Sequence, residues 1–431
     1  MKNRIGIIVV FVLVFCLALG GLAAAAGNNF KGHKLVAIYM SGNYADAARL
    51  IAKEFEEMTG SSVTVIDAPY ASLYEKEFTD LITSGGAYDV IDVASQWDGQ
   101  FAEYLEPIDE KLKNNTELNI EDFIGGISRV TGIWEGVRFG IPNACDAYGI
   151  IYRTDIFKAE EITEKDCSTW DGYFEVAKKL TKDGMFGTAI AGSKEQLDAY
   201  WTARYWSMGG HLISKDWKTP LPQRDSAVKA LKIIIDLMKY MPEGVMSYMI
   251  PDENAMFLKG KIAMAELWPS LIRGTANDPA QSNVIGKWNV MPYPGATPQM
   301  SSWDLAIPKK SKEKDLAYEW IKFYTNEANQ RLFLKEFGIG PTRSVIYNDP
   351  EVMKEHADFS NMLISLEGVR SRFRFAQSQE AFDFLDERIS DALTGVLTPE
   401  QAIDEVVKQW TEIISNNPPK GVAEYTDDYV E

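Results

Sequence analysis

Cysteine and histidine are both scarce, with three of each among 431 residues. So small a supply excludes a Cys-rich zinc site and a disulfide-dense scaffold. Positive charge is also short: 44 Lys and Arg stand against 62 Asp and Glu, a net −18. Such a chain offers little to a phosphate backbone or an anionic membrane surface, and nucleic acid is excluded as an expected partner. The motifs of common chemistries are missing as well. There is no G-x-S-x-G, and His33, His211 and His356 leave few bases for a Ser or Cys triad. No phosphate-cradling G-x-x-x-x-G-K-[ST] occurs, and no G-x-G-x-x-G follows a strand. Gly338-Ile339-Gly340-Pro341 puts proline where phosphate would need an N–H, and reads as a hinge or turn. No cofactor and no metal site is expected. After the first thirty residues no apolar run approaches the roughly 18 residues of a membrane span, and there is no repeat period or low-complexity tract.

What is present is globular: 46% apolar, 12% aromatic and 25% charged residues. The length exceeds what one hydrophobic core fills, so at least two lobes are expected. Residues 1–26 read as an export signal. Lys2 and Arg4 precede an apolar stretch from Ile5 to Leu19, and Ala24 and Ala26 supply a small-x-small cleavage site. Cleavage near Gly27 would take the net charge from −18 to −20. Ile5 to Ala26 is also long enough to stay as a membrane anchor, the alternative reading. Either way the rest of the chain is placed outside the cytoplasm, in the periplasm or at the cell surface. Cys145 and Cys167 then remain, either as a disulfide or as two buried thiols.

Lys34–Met40 reads as a buried strand, Ala45–Met58 as a helix with Leu50, Ile51, Phe55 and Met58 on one face, and Val63–Ile66 as a second strand. A helix carrying Tyr74, Phe78, Leu81 and Ile82 ends at Gly85 and Gly86, and Tyr88–Ala94 is a third strand. This alternation implies a parallel sheet with crossover helices, an α/β fold. Val228, Leu231, Ile234, Ile235 and Met238 line one further helix, and Leu316, Trp320, Phe323 and Tyr324 another. Phe382, Leu385 and Ile389, then Ile403, Val406, Val407, Trp410 and Ile413, mark two amphipathic helices. The second opens on Thr398, Pro399 and Gln401, a capping-box-like start. Residues 416–431 read as a loose tail.

Eleven tryptophans occur, several of them at expected loops: Trp97, Trp201, Trp206, Trp268 and Trp303. An indole packs on the C–H face of a sugar while neighbouring planar polar groups bind its hydroxyls. Trp97 adjoins Asp98, Trp201 lies near Asp198 and Arg204, Trp268 follows Glu266, and Trp303 precedes Asp304. The bland alternative is that each ring closes a core edge. Trp320 and Trp410 lie on apolar stripes and are read as core, and Trp170 as packing at a helix start.

Six segments together carry a resemblance: FGIPNACDAYGIIYRTDIF (139–157), STWDGYFEVAKKL (168–180), AMFLKGKIAMAELW (255–268), SWDLAIPK (302–309), LAYEWIKFY (316–324) and GVLTPEQAI (395–403). In this order and spacing, over about residues 33–415, the chain resembles the extracytoplasmic solute-binding proteins of ABC importers, in the maltose-binding-protein-like sugar-binding group (family 1). The resemblance implies a two-lobe, type II periplasmic-binding-protein fold with a hinge of crossing segments and a ligand cleft between the lobes. Lobe 1 would comprise 27–142 with 294–338, and lobe 2 would comprise 143–293 with 339–431. The crossings would fall near Asn143–Asp146, Tyr293–Pro294 and Gly338–Pro341.

Ligand contacts carried over are Asn43 and Tyr44 after the first strand, Trp97 and Asp98 after the third, and Asp146 as a carboxylate for a hydroxyl. Asp198, Tyr200 and Trp201 come from the second lobe, with Trp268, Trp303 and Asp304, while Glu266, Arg372 and Arg374 are further candidates. The implied function is capture of a mono- or oligosaccharide by a monomer, without catalysis, and delivery to membrane permease subunits. Two other readings stand beside it: a binder of polyamine or another cation, with acids around aromatic faces, and a secreted glycoside hydrolase using an acid pair such as Asp98 and Glu266.

Overall fold

In a computed structural model, described for residues 29–83, 85–113, 117–194, 196–418 and 429–430, the chain divides into two compact units. One comprises the chain up to Asp92 with Ile307–Asn329, the other Val93–Ala306 with the chain from Gln330. The expected export signal and most of the expected tail lie outside the described residues.

The first unit begins with strand β1 (Lys34–Met40), helix α1 (Asn43–Thr59), β2 (Ser62–Ala68), α2 (Tyr70–Ile82) and the first three residues of β3 (Val90–Ala94). β1 runs parallel to β2, from Lys34 opposite Ser62 to Met40 opposite Ala68, and parallel to β3 at Ala37–Val90 and Ile38–Ile91. The expected parallel sheet with crossover helices is therefore present. Gly60 ends α1 at φ +77°, with its N–H donating to Glu56 O, the left-handed cap that glycine adopts without penalty.

Both helical faces are rotated from the sequence reading. On α1 the buried stripe is Tyr44, Ala47, Ala48, Ile51 and Phe55, whereas Leu50 and Met58 are 48% and 41% exposed. Small alanines rather than the larger neighbours set the packing side. On α2 the buried positions are Leu73, Glu77 and Leu81, and Ile82 is exposed. Glu77 belongs there because its Oε1 accepts from the Asp92 backbone N–H at 3.2 Å, so the strand engages one carboxylate oxygen. The helix Lys314–Tyr324 closes this core: Trp320 packs edge-on to Phe55 at 5.1 Å and donates to Tyr39 Oη at 2.8 Å.

The second unit holds β4 (Gly140–Ala147), β5 (Gly149–Arg153), α3 (Trp170–Leu180), α4 (Leu197–Ser207), α5 (Arg224–Leu237), α6 (Ile250–Leu258), β6 (Met264–Leu267), β7 (Trp288–Met291), β8 (Met300–Ala306), α7 (Ser378–Leu393) and α8 (Pro399–Asn416). β8 pairs antiparallel with β4, with a register shift at Trp303–Asp304. β5 lies antiparallel between β7 and β6. The capping box of α8 forms as expected: Thr398 Oγ1 accepts from Gln401 N at 3.2 Å, and Gln401 Oε1 accepts from Thr398 N at 2.9 Å. Trp410 is core, donating to Ala381 O at 2.8 Å and meeting Phe373 edge-on at 4.7 Å.

Two of the expected crossings run side by side within this unit. Cys145 N donates to Gly340 O at 3.1 Å and Thr342 Oγ1 to Pro142 O at 3.0 Å. A Cβ on Gly340 would sit 2.0 Å from Cys145 O, so only glycine permits this approach. Cys145 and Cys167 are free and buried, in different hydrophobic clusters. Of the two readings left open, the thiols replace the bridge: Cys145 Sγ donates to Pro341 O at 3.1 Å instead. Burial holds both thiols protonated, pushing Cys167 up to about 12. Among the described residues no helix is long and apolar enough to cross a membrane, and no metal-binding cluster occurs.

Candidate functional site

The segment that follows β3 anchors the first group. Trp97 and Asp98 follow β3 directly, and both are buried. Trp97 meets Trp303 of β8 edge-on at 5.7 Å and lies 5.9 Å from Phe101. These two indoles cover each other in the interior, the bland alternative of the sequence reading. Asp98 Oδ2 accepts from Gly132 N at 3.1 Å and from Arg374 Nη2 at 2.6 Å. Arg374 also donates to Val130 O and Ile133 O, both at 2.8 Å, and its guanidinium carbon lies 5.9 Å from the Trp134 ring centre. Burial pushes the Asp98 carboxyl up to about 6, against the opposing pull of Arg374. Asp304 lies beside Asp98 and presses on Gly140, where a Cβ would lie 1.7 Å from its Oδ2. Both acids are interior groups.

Asp146, on β4, is also turned inward. Its Oδ1 accepts from Ala147 N at 2.9 Å and its Oδ2 from Ser270 N at 2.8 Å, at the start of the helix Ser270–Ala276. Burial raises this carboxyl while Arg273 opposes the shift. A carboxylate bound twice to backbone N–H groups serves as a cap.

Trp201 and Trp206 are corrected from loop to helix. Both lie on α4, whose sequence LDAYWTARYWS is buried on every side, so the loop expectation failed for want of a polar face. Trp201 stacks on Tyr205 at 4.9 Å and donates to Ala227 O at 3.0 Å. Tyr200 is equally interior: its hydroxyl accepts from Ala191 N at 2.9 Å and faces Glu253 Oε2 at 3.4 Å. Glu266 forms a two-pronged ion pair with Arg204 (2.6 and 3.0 Å), and the Arg204 guanidinium lies 4.0 Å from the Trp170 ring centre. Neither Glu266 nor Arg204 has any exposed side-chain surface.

The remaining group combines interior anchors with partly exposed ends. Trp268, after β6, is half-buried; its ring centre is 3.9 Å from that of Tyr148, and its Nε1–H donates to Gln196 Oε1 at 3.2 Å. Tyr148 Oη donates to the same oxygen at 3.1 Å. Two residues on, at the start of α4, Asp198 is fully buried. It accepts from Arg372 Nε (to Oδ2) and Nη2 (to Oδ1), both at 2.8 Å, and from Gln299 Nε2 (to Oδ2) at 2.7 Å. Gln299 is tied back to Tyr148, whose N donates to Gln299 O at 3.4 Å. Trp268, Gln196, Tyr148, Gln299, Asp198 and Arg372 are thus one connected network, and the segment carrying Arg372 and Arg374 joins it to the Asp98 group.

Gln196, Tyr148 and Gln299 were missed from sequence, and no spacing singles them out. Asn43 and Tyr44 begin α1 in the other unit, Tyr44 buried and Asn43 half-buried. Apart from all these candidates, a pocket of 390 Å³ is lined by Ile124, Gly125, Arg129, Tyr347 and Leu366, among others.

The fold has known counterparts. The chain belongs to the bacterial extracellular solute-binding protein family, whose model matches residues 41–331. It is 24% identical, over 89% of its length and 90% of the relative's, to a probable amino-acid ABC transporter periplasmic-binding protein of Sinorhizobium fredii. It is also 24% identical to a mannitol-binding protein of Pseudomonas aeruginosa, over 64% of this chain and 66% of that one. The structure of T. maritima MalE3 with maltose bound superposes with a TM-score of 0.82 at 25% identity, covering 89% of this chain and 100% of that one. The expected periplasmic-binding-protein fold is therefore shown.

Proposed function

We propose that this protein captures a neutral carbohydrate, a mono- or oligosaccharide or the corresponding polyol, and delivers it unaltered to the permease of an ABC transporter. The observation carrying this reading is the half-buried Trp268 indole, held by Gln196 beside the Asp198–Arg372–Gln299 network. A flat ring with planar amide and guanidinium groups matches the alternating C–H and O–H faces of a sugar. Family membership and the mannitol- and maltose-related counterparts support it.

Charge separates this reading from a cation binder. Asp98, Asp198 and Glu266 are each paired with an internal arginine, and Asp146 is engaged by backbone N–H groups. A polyamine needs carboxylates it can reach. The α-amino acid suggested by the Sinorhizobium relative's name would likewise need an accessible acid for its ammonium. The same pairing counts against a hydrolase, since Asp98 and Glu266 sit in separate buried ion pairs. Export by the segment 1–26 is part of the proposal and accords with an extracellular family.

A thermal-shift screen with maltose, glucose, mannitol, spermidine and free amino acids tests the reading, because a ligand raises apparent stability by mass action. Stabilisation by a sugar or polyol alone is expected; stabilisation by spermidine or an amino acid, with none from the sugars, would overturn it.

A further inference from the structure

We propose that Asp198 sets the charge selectivity of the solute site: by neutralising Arg372 it tunes the site to uncharged sugars and against sugar acids. This deepens the carbohydrate reading and rests on it. The two partners differ in exposure. The Asp198 side chain is 0% exposed and that of Arg372 13%, so a solute at this surface meets the Arg372 side chain and not the carboxylate. Both Asp198 oxygens are engaged, Oδ1 by Arg372 Nη2 and Oδ2 by Arg372 Nε and Gln299 Nε2. Asp198 is therefore a positioning residue, not a ligand contact.

The setting makes the compensation specific. One face of the Arg372 guanidinium lies 4.8 Å from the Phe382 ring centre, which holds it flat. Behind Asp198 lies Asp386, whose Oδ1 accepts from Asp198 N at 2.5 Å. Burial first, and then the Asp198 charge, raise the Asp386 carboxyl well above the ordinary range. A neutral Asp386 leaves one negative charge, on Asp198, against one positive charge on Arg372. In a partly desolvated site an uncompensated guanidinium would attract a carboxylate strongly, because screening there is weak. Specificity here comes from suppressing a charge rather than from adding a contact.

The test is calorimetric titration of the full chain with three matched sets: mannitol, mannonate and 1-amino-1-deoxymannitol; glucose, glucuronate and glucosamine; maltose, maltobionate and maltosylamine. Wild type is expected to favour the neutral member. Asp198→Asn should raise the acid-to-neutral affinity ratio by about tenfold or more, and Asp198→Glu should leave it near wild type. Arg372→Gln, which leaves the carboxylate uncompensated, should raise the amine-to-neutral ratio instead, and it tests the idea even if Asp198→Asn does not fold. A merely structural Asp198 would weaken all three members of a set alike. Equal losses across a set in the folded variants would overturn the inference while leaving the carbohydrate reading intact. Wild type binding no neutral member of any set would overturn that reading and the inference together.

Discussion

Tryptophans that look alike in sequence divide by environment. Trp201, stacked on Tyr205 within α4, and Trp97, against Trp303, are interior, whereas Trp268 keeps part of its ring exposed. Trp201→Ala is expected to cost about 3–5 kcal/mol of stability, as deletion of a core aromatic does, and Trp268→Ala far less. Melting curves of the two variants check the contrast. Asp98 gives a pH signature. Its folded-state value, about 6, exceeds the unfolded carboxylate value near 3.9. Its contribution to stability is therefore fully present below about pH 4 and is lost as pH rises through about 6. The melting temperature of wild type relative to Asp98→Asn should fall between pH 4 and pH 7; a constant difference would contradict the burial of that carboxyl. The free thiols are equally testable: Cys145 and Cys167 should both alkylate in denaturant without prior reduction, whereas protection of both would restore the bridge.

Elements were legible where one side faces solvent. The strands and helices up to Ala94 fall within a few residues of expectation, because their apolar positions recur with a clean period and glycine marks their ends. The helix face was less legible. Leu50 and Met58 are large and apolar yet exposed, since Ala47 and Ala48 let the helix approach its sheet closely. α4 was illegible because a helix buried all round has no amphipathic period, and its tryptophans then read as loop aromatics. The paired acids of the candidate site were nameable as residues, but their arginine partners lie far away in sequence, as Asp98 and Arg374 do. At this scale the α8 cap is decisive: Thr398→Ala should destabilise by about 1 kcal/mol, read as a lower denaturant midpoint at unchanged slope. Gly140→Ala should cost more, because the new Cβ meets the Asp304 carboxylate.

For the whole molecule, the acidity of the sequence and the charge balance of the proposed site are separate matters. A net −18 describes mainly exposed Asp and Glu, while the interior Asp98, Asp198 and Glu266 are matched by arginine and Asp146 by backbone N–H groups. Surface charge therefore says little about the solute, and the internal pairing says more. Family membership supplies the class of protein, and the partly exposed ring and planar polar groups support the proposed kind of solute. The most direct measurement is calorimetric titration of wild type and Trp268→Ala with the sugar or polyol that stabilises the wild type. Binding to wild type, weakened by about 1–3 kcal/mol in a variant that melts normally, is the predicted result. Undiminished affinity in Trp268→Ala would contradict the account.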